Sequence, residues 1–497
     1  MKKFYLFLFV LMMIRQANAQ KASATVELKV VGVDEGIISV LLPVQHAVFW
    51  GAARVDTIRK NKVHVIALNE NQTGFVNINV FNREIKLFVQ KGNKIRVTID
   101  EDNTEQPLLI EGNNKEGQML LTSSNLLYPG SLITRYKTDT TAAMLEKHVE
   151  EDKKLRINVF QVLKEQNKID KVFFDFVQLN MDYYHATLIS EVITSRYAST
   201  TLPKDNPFYV AVFPNDFGLL WEKIYRQYNV NNPLAIQTFG YSDKFNTYCG
   251  DYLNGFLSWQ KSRYNIALAS SDWAASMKET MQRIQTNMKA PVAEFTEADL
   301  LFAELSLEKN YVPLVSFFAD FKKRYPQSQY TPYIQPLADK AIAYYKKAKA
   351  DFTPEQKIVP DYSRVNSFRE LMQRFNGKIV YIEFWATWCT TCKDQFDYEK
   401  NLHDLLQSKQ AEHLFISVDN NNQEEEWKEM IKNFNLRGNH IKANESLIKD
   451  LSKIFWKGKG YALPLYIIIN AAGNIVEADA LPPRDKKKLY QQIGKYL

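Results

Sequence analysis

Phe384-Trp385-Ala386-Thr387-Trp388-Cys389-Thr390-Thr391-Cys392-Lys393 holds two of the three cysteines in a chain of 497 residues. They are spaced Cys-x-x-Cys. The apolar run 379–385 precedes them with strand character, and a helical pattern follows. A thiol pair at a strand-to-helix junction is what dithiol–disulfide exchange needs, because one thiol can attack and the other can resolve. The same spacing also suits a plain structural disulfide or half of a zinc site. Structural zinc needs a second ligand pair, and the sequence offers no second Cys-x-x-Cys and no suitably spaced His pair. No metal site is therefore expected.

Outward from this run, helices and strands alternate. Ser367-Phe368-Arg369-Glu370 fits a capping box, and Gly377 should end the helix it opens. The helix after Cys389 should reach Ser408. Leu414-Phe415-Ile416-Ser417-Val418 is a second buried strand, followed by helices near 424–435 and 446–455. Leu465-Tyr466-Ile467-Ile468-Ile469 and Ile475-Val476 flank Asn470-Ala471-Ala472-Gly473-Asn474, a hairpin with Gly placed for positive φ. Residues 486–497 close as a helix. Such alternation makes an α/β sheet domain.

Residues from about 360 to 497 resemble a thioredoxin fold and are most similar to exported TlpA/ResA-type thioredoxin-like proteins. The run 384–393 carries the resemblance, with Ala462-Leu463-Pro464 further on. Cys389, at the first turn of a helix, is then the nucleophile, and Cys392 the resolving thiol. Glu383 sits inside an apolar strand, where ionisation is costly and its pKa should rise. The resemblance implies that it accepts the Cys392 proton. It further implies a cis Pro464 that, with Leu463 and Trp388, shapes the substrate groove. The sequence departs from the family at several points. Thr390-Thr391 replaces the Gly-Pro of common thioredoxins, which leaves the redox direction open. Gln395 stands where many TlpA/ResA-type proteins have Glu, so a second acidic role is not expected there. The helix after Cys392 lacks the proline that often kinks it, and Leu463 stands where Thr, Val or Ile is usual.

Residues 1–19 read as a signal peptide. Lys2 and Lys3 precede an 11-residue apolar stretch, Phe4 to Ile14, too short for a membrane span of roughly 20 residues. Ala17-Asn18-Ala19 gives a cleavage site after Ala19. Export implies an oxidising compartment such as the periplasm. The formal charge of +7 falls to +4 without Lys2, Lys3 and Arg15, and no dense basic block stands out, which argues against a nucleic-acid partner.

Residues 20–112 form the expected β-rich domain. Thr25-Val26-Glu27-Leu28-Lys29-Val30 and Phe75-Val76-Asn77-Ile78-Asn79-Val80 alternate with period two, and Lys91-Gly92-Asn93 is a turn, suggesting an antiparallel sandwich. Residues 113–350 read as helical, including 145–164, 172–193 and a helical hairpin broken at Pro326. Pro354 and Pro360 suggest a linker over 351–364, leaving 365–497 as the thioredoxin-like domain. The fold class is thus multidomain: a C-terminal α/β thioredoxin fold after a β-sandwich-like domain and an α-helical one. Both extensions resemble the long N-terminal segments of such proteins in Gram-negative Bacteroidota.

Other motifs carry less. Cys249 reads as a buried, inert thiol. Asp419-Asn420-Asn421-Asn422 lacks calcium-loop spacing and reads as a plain loop. No phosphate-binding glycine loop occurs, so no nucleotide or flavin cofactor is expected beyond the redox-active Cys389–Cys392 pair. A peroxidase of this fold needs a Pro-x-x-x-Thr pattern before its cysteine, which is missing. The expected function is a periplasmic thiol–disulfide oxidoreductase that reduces protein disulfides. Its partners are disulfide- or thiol-bearing client proteins and a membrane thiol electron donor. The competing class is a binding or scaffold protein with a vestigial thioredoxin domain.

Overall fold

Alternation in the first hundred residues folds as strands, in a computed structural model that describes residues 23–32, 34–59, 62–81, 83–123, 134–238, 248–263, 273–307, 312–420 and 423–496. The segment read as a signal peptide lies outside the described residues. The chain divides into two compact units, Met1–Ala338 and Asp339–Leu497.

The first unit opens with eight strands: β1 (Ala24–Val31), β2 (Glu35–Leu41), β3 (Ala53–Arg59), β4 (Val63–Leu68), β5 (Gly74–Val80), β6 (Arg83–Val89), β7 (Lys94–Asp100) and β8 (Leu108–Gly112). They form two four-stranded sheets, ordered β4-β1-β7-β8 and β3-β2-β5-β6. Inward residues of both, among them Val26, Leu28, Val40, Ile78, Leu87 and Val97, make one apolar core. Burying each such side chain contributes roughly 1.5–3 kcal/mol. The sandwich is not purely antiparallel, because β1 and β7 pair in parallel from Thr25↔Lys94 to Val31↔Asp100. Parallel neighbours need a long crossover. The strands between them in sequence, most of which build the opposite sheet, supply it.

Helices follow: α1 (Lys115–Ser123), α2 (Ala142–Glu165), α3 (Lys171–Thr200), α4 (Asn215–Gln227), α5 (Trp273–Asn287), α6 (Val292–Ser306), α7 (Val312–Arg324) and α8 (Thr331–Ala348), with a helical run at 248–263. The first covers a sheet edge. Gln118 accepts from the Phe88 amide and donates to the Phe88 carbonyl, and Thr122 does the same with Lys86. Edge strand β6 thus has partners for groups that would otherwise invite foreign pairing. Phe173, Phe176 and Val177 of α3 pack with Val48 and Phe75 in a second apolar cluster, which ties helices and sandwich into one unit. Pro326 lies between α7 and α8. Cys249 is buried, 3.8 Å from Thr296 Oγ1.

The second unit carries β9 (Gln356–Ile358), α9 (Phe368–Gln373), β10 (Val380–Trp385), α10 (Thr390–Phe396), α11 (Glu399–Ser408), β11 (Glu412–Ser417), α12 (Glu424–Asn433), β12 (Gly438–Lys442), α13 (Glu445–Trp456), β13 (Leu465–Ile469), β14 (Ile475–Glu477) and α14 (Lys487–Gly494). Its six-stranded sheet has the order β14-β13-β10-β11-β12-β9. β10 pairs in parallel with β11 and antiparallel with β13, at the centre. Val380, Ile382 and Phe384 face one apolar cluster. Tyr381, Glu383 and Trp385 alternate onto the other face.

Several details differ from the sequence reading. Stretch 351–364, read as a linker, contains β9, which pairs in parallel with β12. Ser367 caps α9 by accepting from the Glu370 amide, but the Glu370 carboxylate accepts from Asn366, one residue before the cap. The expected long helix after Cys389 is two, α10 and α11, broken at Asp397-Tyr398. The turn at Asn470–Asn474 forms as expected, with Gly473 at φ 82.

Candidate active site

Cys389 follows β10 by a short loop and occupies the N-cap of α10. Its sulfur is bonded to that of Cys392, one turn inside, and lies 3.2 Å from the Cys392 amide nitrogen. Cys389 keeps 5% of its surface in contact with solvent and Cys392 none. The outer cysteine is therefore the one a partner can reach. Trp388 beside it is 53% exposed.

The loop that presents Cys389 is held from below. Asp419, at the end of β11, is buried and accepts from the Thr387 amide at 2.9 and 3.1 Å and from the Thr387 hydroxyl at 2.9 Å. It also accepts from Ser417 Oγ at 2.6 Å. Gln423 Nε2 donates to Thr387 Oγ1 at 3.1 Å. Charge-assisted bonds of this kind are about twice as strong as neutral ones. Asp419 is thus a clamp on the loop before Cys389, a role that reading 419–422 as a plain loop does not reveal.

The opposite wall is the Leu463–Pro464 peptide, which is cis. Leu463 packs against the cluster that contains Cys389, Cys392 and Trp385. Thr391 Oγ1 lies 3.5 Å from Cys389 Sγ and 3.4 Å from the Leu463 carbonyl. The second threonine of the Cys-x-x-Cys loop thereby touches both the outer cysteine and the segment before Pro464. Gln395 is buried, its Oε1 accepting from the Arg484 amide at 3.3 Å.

Glu383, six residues before Cys389, is fully buried on β10. Burial pushes its carboxyl up to about 7. Tyr466, opposite it in register on β13, donates to Glu383 Oε1 at 3.3 Å. Burial, reinforced by the two carboxyl groups, holds this phenol protonated. Glu399 opens α11 and is also buried, 3% exposed. Burial raises its carboxyl well above the usual range, and the neighbouring Glu383 adds to the effect. His413 Nδ1 on β11 lies 3.5 Å from Glu399 Oε2. Burial, with His403 and His440 nearby, keeps this imidazole neutral. The contact is therefore not an ion pair. One polar atom from each of Glu383, Glu399 and His413 lies within 4.8 Å of the others. Glu399 is a second buried carboxyl beside Glu383, which the sequence reading did not single out. It was hidden because the sequence showed one continuous helix where the chain breaks and turns inward.

The comparisons with known proteins fall on this unit. The Redoxin family matches residues 363–493. The thiol:disulfide interchange protein DsbD of Actinobacillus pleuropneumoniae is 32% identical over 80 residues, 16% of this chain and 14% of that protein. The thiol-disulfide oxidoreductase ResA of Oceanobacillus iheyensis is 29% identical over 69 residues, 14% of this chain and 36% of its own length. The chain thus spans between about a seventh and a third of these relatives. Among solved structures, the thioredoxin domain of a thiol-disulfide oxidoreductase from Bacteroides vulgatus is 24% identical, with 25% of this chain and 83% of that one covered and a TM-score of 0.22. StoA from Bacillus subtilis is 17% identical, covering 23% of this chain and 83% of that one at a TM-score of 0.18. Among the described residues no helix is long and apolar enough to cross a membrane. Residues 363–493 of this chain match the Redoxin family, and the same region is similar to exchange proteins of the DsbD and ResA kind.

Proposed function

We propose that this protein is an exported thiol–disulfide oxidoreductase that reduces the disulfides of client proteins in the periplasm. The observation that carries the reading is the Cys389–Cys392 disulfide set at the start of α10 with the cis Leu463–Pro464 wall beside it. The redox centre is the cysteine pair itself, with no further cofactor. A membrane thiol donor supplies electrons.

In the reduced protein, the Cys389 thiolate attacks a client disulfide. A mixed disulfide forms and one client thiolate leaves. Cys392 then gives its proton to Glu383, and its sulfur attacks Cys389 Sγ. The mixed disulfide breaks, the second client thiolate leaves, and the pair ends oxidised while the client has gained two electrons. Glu383 suits this role because a carboxyl pushed up to about 7 can take and give a proton near neutral pH. Trp388, Leu463 and Pro464 offer the client an apolar contact and a backbone edge.

The test is insulin reduction by dithiothreitol. Mature protein should accelerate it and Cys389→Ser should abolish the effect. Equal inertness of both proteins across several disulfides favours a scaffold. A reduction potential near roughly −120 mV, that of a strong oxidant, contradicts the reducing direction.

A further inference from the structure

Five buried polar atoms cluster on one side of the central sheet with no hydrogen-bond partner outside their own row: Glu383 Oε2, both carboxyl oxygens of Glu399, and both ring nitrogens of His413. Buried polar atoms are nearly always paired, so such a concentration needs a reason. The three side chains form a row. Glu383 lies on β10, Glu399 is next to it, and His413 Nδ1 is 3.5 Å from Glu399 Oε2. His413 is also part of the wall of a cavity of about 360 Å³, which Lys357, Lys378, His403, Glu412 and Asn439 help to line. Lys378 precedes β10, and Glu412 and Asn439 lie at the starts of β11 and β12. The cavity is therefore at the opposite end of the strands from Cys389.

We propose that Glu383, Glu399 and His413 form a proton line that carries the proton released by Cys392 to solvent through this cavity. The inference rests on the disulfide-exchange reading and deepens it. A client bound over Cys389 and Pro464 covers the groove, so a proton placed on Glu383 needs another way out. Two buried carboxyl groups in contact cannot both ionise cheaply, so the pair retains one proton and passes on any second. A neutral imidazole continues the line by accepting at one nitrogen and releasing from the other, with no net charge left buried. The gap of 3.5 Å between His413 and Glu399 is within the looseness expected of a catalytic contact at rest. Other titratable or charged groups facing the row are Tyr381 and Tyr466 across Glu383, Arg484, Asp485 and Tyr490 beyond them, and His403 and His440 beside His413. The tyrosines are held protonated by burial. The tyrosines therefore do not compete for the row's proton.

The test uses the full mature chain and a fluorescent peptide disulfide, with rapid quenching to separate formation of the mixed disulfide from its release. Glu399→Gln keeps the side-chain volume but cannot relay a proton. His413→Ala opens the row to added imidazole. Formation should stay within about twofold of wild type in both, while release slows by about tenfold or more and loses its pH dependence near neutrality. Imidazole should restore release in His413→Ala, and Glu399→Asp should recover part of it. Release at the wild-type rate and with the wild-type pH profile in both variants overturns the proposal. So does a stoichiometric divalent metal in the purified wild type that Glu399→Gln loses. Should Glu399→Gln not fold, the imidazole arm decides alone. A wild type that forms no mixed disulfide refutes the exchange reading itself, a result distinct from normal release in the variants.

Discussion

Glu399, the first residue of α11, buries its carboxyl beside that of Glu383 on β10, and no lysine or arginine forms an ion pair with either among the described residues. The arrangement keeps protons in the core at a pH where surface carboxyls are ionised. It makes the C-terminal unit sensitive to pH in a direction that can be worked out. The Glu383 carboxyl stands at about 7 in the folded protein against 4.5 in a free chain. Between these values the folded state binds more protons than the unfolded one, so stability is full below the lower value and falls as pH rises through the upper. Denaturant unfolding at pH 5 and pH 8 should show the fall, and Glu383→Gln should reduce it, leaving the share of Glu399, whose carboxyl is raised by burial as well. An equal slope in both proteins contradicts the assignment.

Glu383→Gln has a kinetic consequence as well. Cys389 should still form the mixed disulfide, while release slows by about a hundredfold, the lower end of what a positioned base contributes. Quenched-flow separation of the two steps checks this. Normal release removes Glu383 from the mechanism.

Asp419 should matter to stability and to turnover together. Asp419→Ala leaves the Thr387 amide and hydroxyl and the Ser417 hydroxyl buried without their acceptor. Losing charge-assisted bonds and orphaning donors costs about 2–4 kcal/mol. Urea titration should report that loss, and insulin turnover should drop as the loop before Cys389 loosens. Wild-type stability in Asp419→Ala is the opposing result.

The Thr391 hydroxyl should tune the attacking thiol. It is 3.5 Å from Cys389 Sγ, close enough to donate to the thiolate of the reduced protein after slight closure. Thr391→Val removes that donor and should raise the Cys389 pKa. The alkylation rate of the reduced protein against pH measures it. An unshifted profile means that Thr391 serves only the Leu463 carbonyl.

What the chain discloses in one dimension follows from how each feature is built. The Cys389–Cys392 run, strand β10 and the hairpin at Gly473 depend on local pattern and were legible. β12 was not, because Gly438-Asn439-His440-Ile441-Lys442 carries only one aliphatic residue and gains strand character by pairing with β11. β9 hides between Pro354 and Pro360 and exists only through β12. Glu383 could be picked out because a lone carboxylate in an apolar strand is conspicuous. Glu399 and His413 could not: Glu399 sits among polar neighbours and His413 just outside the apolar run 414–416, and only the break before α11 and the register of β11 bring them inward. Asp419 was misjudged for the same reason, since a polar Asp-Asn-Asn-Asn run gives no sign that its first residue points down. The parallel β1–β7 pair is likewise a property of topology and not of either strand.

The most direct measurement is trapping. Cys392→Ser in the mature protein, mixed with an oxidised client or insulin, should accumulate a mixed disulfide through Cys389 that a reductant dissolves, and Cys389→Ser should accumulate none. Failure of Cys392→Ser to trap any partner, in a protein whose wild type leaves insulin unreduced, contradicts the account.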